Sequence, residues 1–339
     1  SGFLVTLAAL VAVALTTDGR TRILSVASAV VLLTGVSVWG AARVADGRLT
    51  REGTPFTVGL VQPNISQDQK WDRRLAGDIA RRFDRLTREA VAGGAHAVLW
   101  PESSTPYMFD EDPVQAAAVR ALVQQTGVPL LFGTDEVEQG TPNRFYNSAF
   151  VLDPTGATAA VYRKIQLVPF GEFVPLKDLL FFVSPLVGAV ADFKPGERVT
   201  MLPFGEHMAS TAICYEVVYP HLIRRAVLEG SELLTTITND AWYGESSAPF
   251  QHWELASMRA IEQGRYLARA ANTGISGIVD PYGRAVVKTA VFEEAVVTAP
   301  VRFLQSRTVY ATIGDAVALM SLGVSALMSV WLVASARRA

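Results

Sequence analysis

Cysteine is almost missing from this 339-residue chain, which carries one, Cys214. A lone cysteine excludes an internal disulfide and any cysteine-built zinc site. The four histidines (His96, His207, His221 and His252) fall at no ligand spacing such as HxxxH, so no metal is expected. Charge is scarce as well. Charged residues make up 18% of the chain, against ~25% in ordinary soluble domains. The net charge of −2 gives no electrostatic case for a nucleic-acid partner. No internal repeat and no low-complexity linker interrupts the sequence.

In place of charge the chain has apolar residues, 50% of the total, and they are unevenly placed. Phe3 to Leu15 is apolar but short for a membrane span. It reads as the tail of a helix. A signal-peptide core is the competing reading, but no basic segment precedes it and no small-residue cleavage site follows. The chain opens Ser-Gly-Phe-Leu without Met, so we expect it to begin inside a longer protein with further membrane helices upstream. Asp18-Gly-Arg-Thr-Arg22 reads as a tight polar turn. Ile23 to Ala42 is uncharged, and Ala316 to Ala336 is a similar stretch closed by Arg337-Arg338. Each is long enough to span a bilayer. Lys/Arg bias then puts Arg20, Arg22, Arg337 and Arg338 on the cytoplasmic side and residues 43–310 outside. Arg43, Arg48, Arg51, Arg302 and Arg307 oppose that bias, although large domains translocate largely regardless of charge. The expected organisation is a transmembrane region over 1–42, with two helices of which the first is cut short, an extracytoplasmic domain over 43–310, and a membrane helix with a short cytoplasmic tail over 311–339.

The middle block alternates strands and helices, which predicts an α/β domain with a mixed sheet. Strands are expected at Phe56 to Gln62, Ala95 to Trp100, Val128 to Gly133, Ala209 to Ile213 and Leu233 to Thr238. Asn147 to Leu152 and Thr158 to Arg163 flank the turn Asp153-Pro-Thr-Gly156 as a hairpin. Asp72 to Gly93 predicts an amphipathic helix with Leu75, Ile79, Phe83, Leu86 and Val91 on one face. Further helices are expected from Pro113 to about Thr126, from Tyr219-Pro220 to about Glu229, and from Phe250 to Ala271. Two closing strands, Gly277 to Asp280 and Ala285 to Thr289, surround Pro281-Tyr-Gly283. Leu179-Leu-Phe-Phe-Val183 is an apolar patch in a loop region. It reads equally as a lid bearing Phe181 and Phe182 towards a bilayer or as a segment tucked into the core.

Three reactive side chains share one setting. Cys214 ends a short apolar run, Glu102 closes Ala-Val-Leu-Trp-Pro-Glu, and Lys164 lies in Val-Tyr-Arg-Lys. Converged on one site, a carboxylate can deprotonate the thiol, whose free pKa of roughly 8.5 leaves it mostly neutral at pH 7. An ammonium can stabilise both thiolate and oxyanion, and the Tyr215 N–H can serve as a second oxyanion donor. Such a set attacks a carbonyl or nitrile carbon through a covalent intermediate. No histidine sits at a comparable strand end, which argues against a Cys-His pair. Each residue also has a plain structural reading. Cys214 fits a small buried hydrophobe, Glu102 a helix cap or a solvated side chain, and Lys164 with Arg163 a surface basic pair.

The flanking residues add a resemblance. Val98-Leu-Trp-Pro-Glu-Ser103, Tyr162-Arg-Lys-Ile-Gln-Leu-Val-Pro-Phe-Gly-Glu172 and Ile213-Cys-Tyr-Glu216 resemble the Glu, Lys and Cys motifs of the nitrilase, or carbon–nitrogen hydrolase, superfamily. Gln62-Pro-Asn-Ile-Ser-Gln, Lys70-Trp71, Pro169-Phe-Gly-Glu-Phe-Val-Pro175 and Thr238-Asn-Asp-Ala-Trp-Tyr-Gly244 resemble its bacterial apolipoprotein N-acyltransferase branch. The likeness covers residues 56–300. It implies a nitrilase-like αββα sandwich inserted between transmembrane helices, in the bacterial inner membrane and facing the periplasm. By the same resemblance Glu102 is the general base, Lys164 the oxyanion and charge stabiliser, and Cys214 the nucleophile. Glu172 is a second glutamate beside the lysine, and Trp71, Tyr215, Glu216 and Trp242 line the site. The implied reaction moves an acyl chain from a phospholipid donor to Cys214, and then to the amine of a diacylglyceryl-cysteine lipoprotein acceptor. It implies no cofactor, and we expect a monomer. The branch carries more N-terminal helices than this chain shows. Two alternatives remain: a membrane-tethered amidohydrolase with water as acceptor, favoured by a small closed polar pocket, and a non-catalytic binding domain, which forms no thioester.

Overall fold

The computed structural model describes residues 2–70, 72–173 and 193–336. The chain divides into two compact units, Ser1–Arg51 with Thr312–Ala339, and Glu52–Ala311. The first unit is helical, with α1 (Gly2–Thr16), α2 (Gly19–Asp46) and α9 (Ala316–Ala336). Among the described residues Gly19–Thr50 is the one helix long and apolar enough to cross a membrane, while Gly2–Thr16 and Ala316–Met328 are apolar but shorter. The apolar side chains of α2 face outward, Ile23, Val31 and Trp39 among them. The polar turn expected at Asp18 to Arg22 is instead the start of α2. Asp18 takes an extended conformation at the N-cap, so Arg20 and Arg22 ride on the first turn of the helix.

The second unit is built on two six-stranded sheets. Its elements in chain order are β1 (Thr54–Gln62), α3 (Gln67–Lys70), α4 (Ala76–Ala92), β2 (Ala97–Leu99), α5 (Pro113–Thr126), β3 (Leu130–Glu138), β4 (Arg144–Leu152) and β5 (Thr158–Arg163). Then follow β6 (Leu202–Phe204), β7 (His207–Ile213), α6 (Pro220–Leu228), β8 (Leu233–Thr238), α7 (Ala248–Gln263), β9 (Leu267–Ala271), β10 (Gly277–Val279), β11 (Ala285–Lys288), β12 (Ala295–Phe303) and α8 (Val309–Ile313). The first sheet runs β12-β1-β2-β3-β4-β5 and the second β11-β10-β9-β8-β7-β6. In each, three central strands are parallel, β1-β2-β3 and β7-β8-β9, and antiparallel strands close the flanks. Parallel strands with both faces covered need continuous apolar runs, and β2, β8 and β9 are buried throughout.

Each sheet carries its own helices. Ile79, Phe83 and Leu86 of α4 and Val119 and Leu122 of α5 pack with Val98, Trp100, Phe132 and Phe150 on the first sheet. Ile223 and Val227 of α6 and Trp253, Ala256 and Ala260 of α7 pack with Ala212, Leu234 and Leu267 on the second. The sheets meet through β1 against β9 and β4 against β7, which makes four layers, helix–sheet–sheet–helix. The domain is therefore a four-layer α/β sandwich, the architecture that the nitrilase resemblance implies.

Two expectations change. The helix expected to run to Ala271 stops at Gln263. Gly264 turns left-handed at φ 61° and donates back to Ala260 and Ile261, a common helix stop. The chain then re-enters the sheet as β9. The amphipathic helix expected from Asp72 begins at Ala76, because residues 73–75 form a 3₁₀ turn. The lid expected at Phe181 and Phe182 lies outside the described residues.

Candidate active site

Two strands of the first sheet, β2 and β5, deliver the charged Glu102 and Lys164, and β4 supplies Asn147 between them. β2 runs into Trp100-Pro101-Glu102, whose backbone passes close to β3. A Cβ on Gly133 would lie 2.6 Å from Glu102 Cα, so only glycine admits this turn. Glu102 is buried. Its Oε1 accepts from Asn147 Nδ2 at 2.7 Å and its Oε2 from the Asn239 N–H at 2.9 Å. Lys164 follows β5 and is fully buried. Its backbone N–H donates to Asn147 O at 2.9 Å and fixes it beside β4. Its Nζ lies 2.8 Å from Glu172 Oε1 and 3.5 Å from Glu102 Oε1. Asn147 Nδ2 also donates to Glu172 Oε1 at 2.8 Å, so one amide bridges both carboxylates. The plain readings of Glu102 as a solvated or capping residue and of Lys164 as a surface base do not hold.

The second sheet delivers the thiol. β7 ends at Ile213, and Cys214 opens a 3₁₀ turn in the left-handed region, at φ 53°. Such a conformation costs a β-substituted residue on the order of 1–3 kcal/mol. Glu216 holds the turn in place. Its buried carboxylate accepts from the N–H groups of Ile213 (2.8 Å), Ile165 (2.7 Å) and Gln166 (3.0 Å) and from the Tyr162 hydroxyl (2.9 Å). Ile165 and Gln166 directly follow Lys164. One carboxylate thus ties the cysteine turn to the lysine strand of the other sheet.

The electrostatics separate the groups by role. Burial pushes the Cys214 thiol up to about 12, and the Glu102 charge adds to this, while Lys164 and a Thr238 hydrogen bond work against it. The resting thiol is neutral. Burial also opposes the Glu102 charge, but Lys164, Asn147, Lys70 and the Asn239 N–H together hold its carboxyl below the usual glutamate range. Burial disfavours the Lys164 ammonium, yet Glu102, Cys214 and Glu172 raise its pKa. The pair is ionised and the thiol protonated, the starting state for general-base attack.

A family model described as carbon-nitrogen hydrolase matches residues 57–310. The chain belongs to the carbon-nitrogen hydrolase family. Among its relatives, a protein called apolipoprotein N-acyltransferase from Geobacter metallireducens is 40% identical over 265 residues, 78% of this chain and 51% of the relative. Another so called, from Bradyrhizobium diazoefficiens, is 34% identical over 332 residues, 93% of this chain and 60% of the relative. The chain spans about half the length of the curated relatives it matches. Among solved structures, an amidase from Nesterenkonia sp. aligns with a TM-score of 0.57 at 22% identity, covering 75% of this chain and 93% of the amidase.

Within this carbon-nitrogen hydrolase domain, the sequence-predicted Glu102, Lys164 and Glu172 form one hydrogen-bonded cluster, and Cys214 lies within reach of its charges. Glu216 is buried below the cysteine turn, whereas Tyr215 and Trp242 are exposed beside it in sequence and on the Asp240–Tyr243 turn. Trp71 lies outside the described residues. Asn147, Asn239 and Lys70 also contact Glu102, a role the sequence does not assign them. Lys70 stands in the Lys70-Trp71 motif. Its buried Nζ donates to the Glu102 carbonyl at 3.2 Å. No local signal marks it, since Asp68 on the same short helix and Asp72 just beyond it offer ordinary surface partners.

Proposed function

We propose that this chain is the catalytic part of a membrane apolipoprotein N-acyltransferase, with Cys214 as nucleophile, Glu102 as general base and Lys164 as charge stabiliser. The observation that carries the chemistry is the ionised, buried Glu102–Lys164 pair beside a neutral thiol on a left-handed turn. The relatives' names support the substrate class. In the first half-reaction Cys214 Sγ attacks the ester carbonyl of a phospholipid while its proton passes to Glu102. With the thiol near 12 and Glu102 low, proton transfer ahead of attack is steeply uphill. Transfer therefore accompanies S–C bond formation, as negative charge moves onto the carbonyl oxygen. Lys164 and the Tyr215 N–H receive that oxyanion. The lysophospholipid alkoxide departs with the proton from Glu102 and leaves a thioester. In the second half-reaction the α-amine of the diacylglyceryl-cysteine acceptor attacks the thioester. Glu102 takes the amine proton, an amide forms, and the proton returns to the departing sulfur.

We place the chain in the bacterial inner membrane as a multi-pass protein, with the catalytic domain of 43–310 on the periplasmic side between the helices of 1–42 and 311–339. The outward apolar face of α2 supports this, because a helix with so many exposed aliphatic side chains is unfavourable in water. Membrane attachment confines the enzyme and both lipid substrates to one surface, which shortens the search for either. Glu172, Tyr215, Glu216 and Trp242 support or line the site in this reading. The competing hydrolase uses water in the second half-reaction; the likeness to the amidase concerns the fold alone.

The test is to trap the covalent intermediate. Detergent-purified protein is incubated with phospholipid carrying a labelled acyl chain, without acceptor, and the label is located by mass spectrometry. A hydroxylamine-sensitive label on Cys214 that moves to an added diacylglyceryl peptide is the expected result. Label released as free fatty acid, with none transferred to the peptide, would assign the hydrolase.

A further inference from the structure

A second buried cluster takes no part in these proton transfers. His252 on α7 places Nε2 3.1 Å from the Cys214 carbonyl oxygen. Its Nδ1 lies 3.0 Å from Asp240 Oδ1 and 3.0 Å from Arg269 Nη2. Arg269 on β9 donates to Asp240 Oδ2 at 2.8 Å, and Thr238 Oγ1 donates to Asp240 Oδ1 at 2.9 Å. All four side chains are buried. A carbonyl oxygen only accepts, so His252 Nε2 carries hydrogen whether the ring is neutral or charged. Burial, with Arg269 alongside, pushes the ring pKa below its usual value, while Asp240 and the Cys214 carbonyl work the other way.

The consequence runs through one peptide plane. The peptide joining Cys214 to Tyr215 is trans, so its C=O and N–H point in opposite directions. Anchoring Cys214 O on His252 therefore aims the Tyr215 N–H the other way. Among the described residues no group accepts from that N–H. The turn is strained at Cys214, with φ 53°. A strained peptide with one end anchored and its donor left free is a preorganised oxyanion donor.

We propose that His252 is a positioning residue for acyl transfer: its hydrogen bond to the Cys214 carbonyl locks the peptide plane that presents the Tyr215 N–H to the oxyanion. The inference rests on Cys214 being the nucleophile. His252 touches no reacting atom; Asp240 and Arg269 hold its ring.

Two reactions of the same thiol test it. Thioester formation from labelled phospholipid builds an oxyanion, whereas alkylation by iodoacetamide displaces iodide and builds none. His252→Leu is expected to slow thioester formation by about 10²–10³-fold, while alkylation of Cys214 changes less than about threefold. His252→Gln keeps an N–H donor near the carbonyl and is expected to retain thioester formation within about tenfold. Equal loss of both reactions in His252→Leu, or loss of neither, overturns the proposal, as does a His252→Gln variant no better than His252→Leu. If His252→Leu lacks a cooperative melting transition, His252→Met fills the same space with a flexible chain and carries the comparison. Cys214→Ala is run alongside. If it still acquires the label, the nucleophile assignment fails, which is distinct from any result on His252.

Discussion

The two sheets of the sandwich carry different halves of the chemistry. The first brings Glu102 just past β2, Asn147 on β4 and Lys164 just past β5 into side-chain contact with one another and with Glu172 in the turn that follows. The second brings Cys214 on a strained turn, braced at its carbonyl by His252 and at its flanks by Glu216. On one side ordinary backbone supports unusual charge, whereas on the other unusual backbone supports a neutral thiol. In the proposed reaction neither sheet would be competent alone, because the base and the thiol come from different sheets. Substitutions on the two sides should therefore fail differently.

The sharpest break is at the sulfur. Cys214→Ala is expected to abolish thioester formation from labelled phospholipid while the melting temperature stays within a few degrees, because a small buried side chain is replaced by another. On the charged side, Glu102→Gln keeps the shape and removes the base. A fall of about 10²–10⁴-fold in thioester formation is expected, with the protein still folded. Activity within tenfold of the parent would remove Glu102 from the base role.

Lys164→Met separates charge from shape. It removes the cation that bridges Glu102 and Glu172 and leaves Glu102 only the more distant charge of Lys70, and breaking a buried pair in this way costs about 3–5 kcal/mol. It also moves a pH limb. The Glu102 carboxyl is held low in the folded protein, so its ionised form contributes stability above the unfolded pKa, and that contribution is lost as pH falls through the folded value. The acid limb of activity in the parent should therefore lie below the ordinary glutamate value of about 4.3. In Lys164→Met it should move upward. A pH–rate profile of thioester formation in both proteins checks this, and an unmoved limb would show that Lys164 does not set the Glu102 charge.

How much of this was legible beforehand follows from where the information lies. Glu102, Lys164 and Cys214 stand at or near the ends of expected strands, and a strand bounded by a polar residue is a local pattern. The helices α4 and α5 and the β4–β5 hairpin were local in the same way. The bracing residues were not. Asn239 meets Glu102 across 137 positions and Asn147 meets it across 45, so no short window contains either contact. His252 lies mid-helix with nothing local to mark it, and it was set aside because it ends no strand. Strand β9 was hidden because Leu-Ala-Arg-Ala-Ala suits a helix by propensity; the left-handed Gly264 overrules it. Strand β12 was missed since its partner β1 lies at the other end of the domain.

Glu216 tests the division between the sheets, because it spans them. Glu216→Gln replaces an acceptor of three backbone N–H groups with an amide whose NH₂ must face one of them. The unsatisfied donors should cost about 2–4 kcal/mol, read as a lowered melting temperature, with a larger relative loss of thioester formation than of iodoacetamide reactivity.

The smallest effect belongs to Lys70, which reaches from α3 to the Glu102 carbonyl without joining the Lys164 cluster. Burial lowers its pKa to about 8, although Glu102, Asp135 and Cys214 favour its charge. An unfolded lysine titrates near 10.4. The unfolded chain therefore binds the proton more tightly, and charging Lys70 is a cost to folding that is fully present below about pH 8. The cost disappears as pH rises towards the unfolded value. Lys70→Met lacks this term, so the parent should gain stability relative to the variant between pH 8 and 10, by about 1–3 kcal/mol. Melting curves of both proteins at pH 7.5 and 10 measure the gap. A gap that stays constant would mean that Lys70 keeps an ordinary pKa and is better solvated than its burial implies. A gap that widens as expected would identify a second cation under Glu102 whose charge fades above pH 8, with a matching severalfold decline in thioester formation in the parent and none in Lys70→Met.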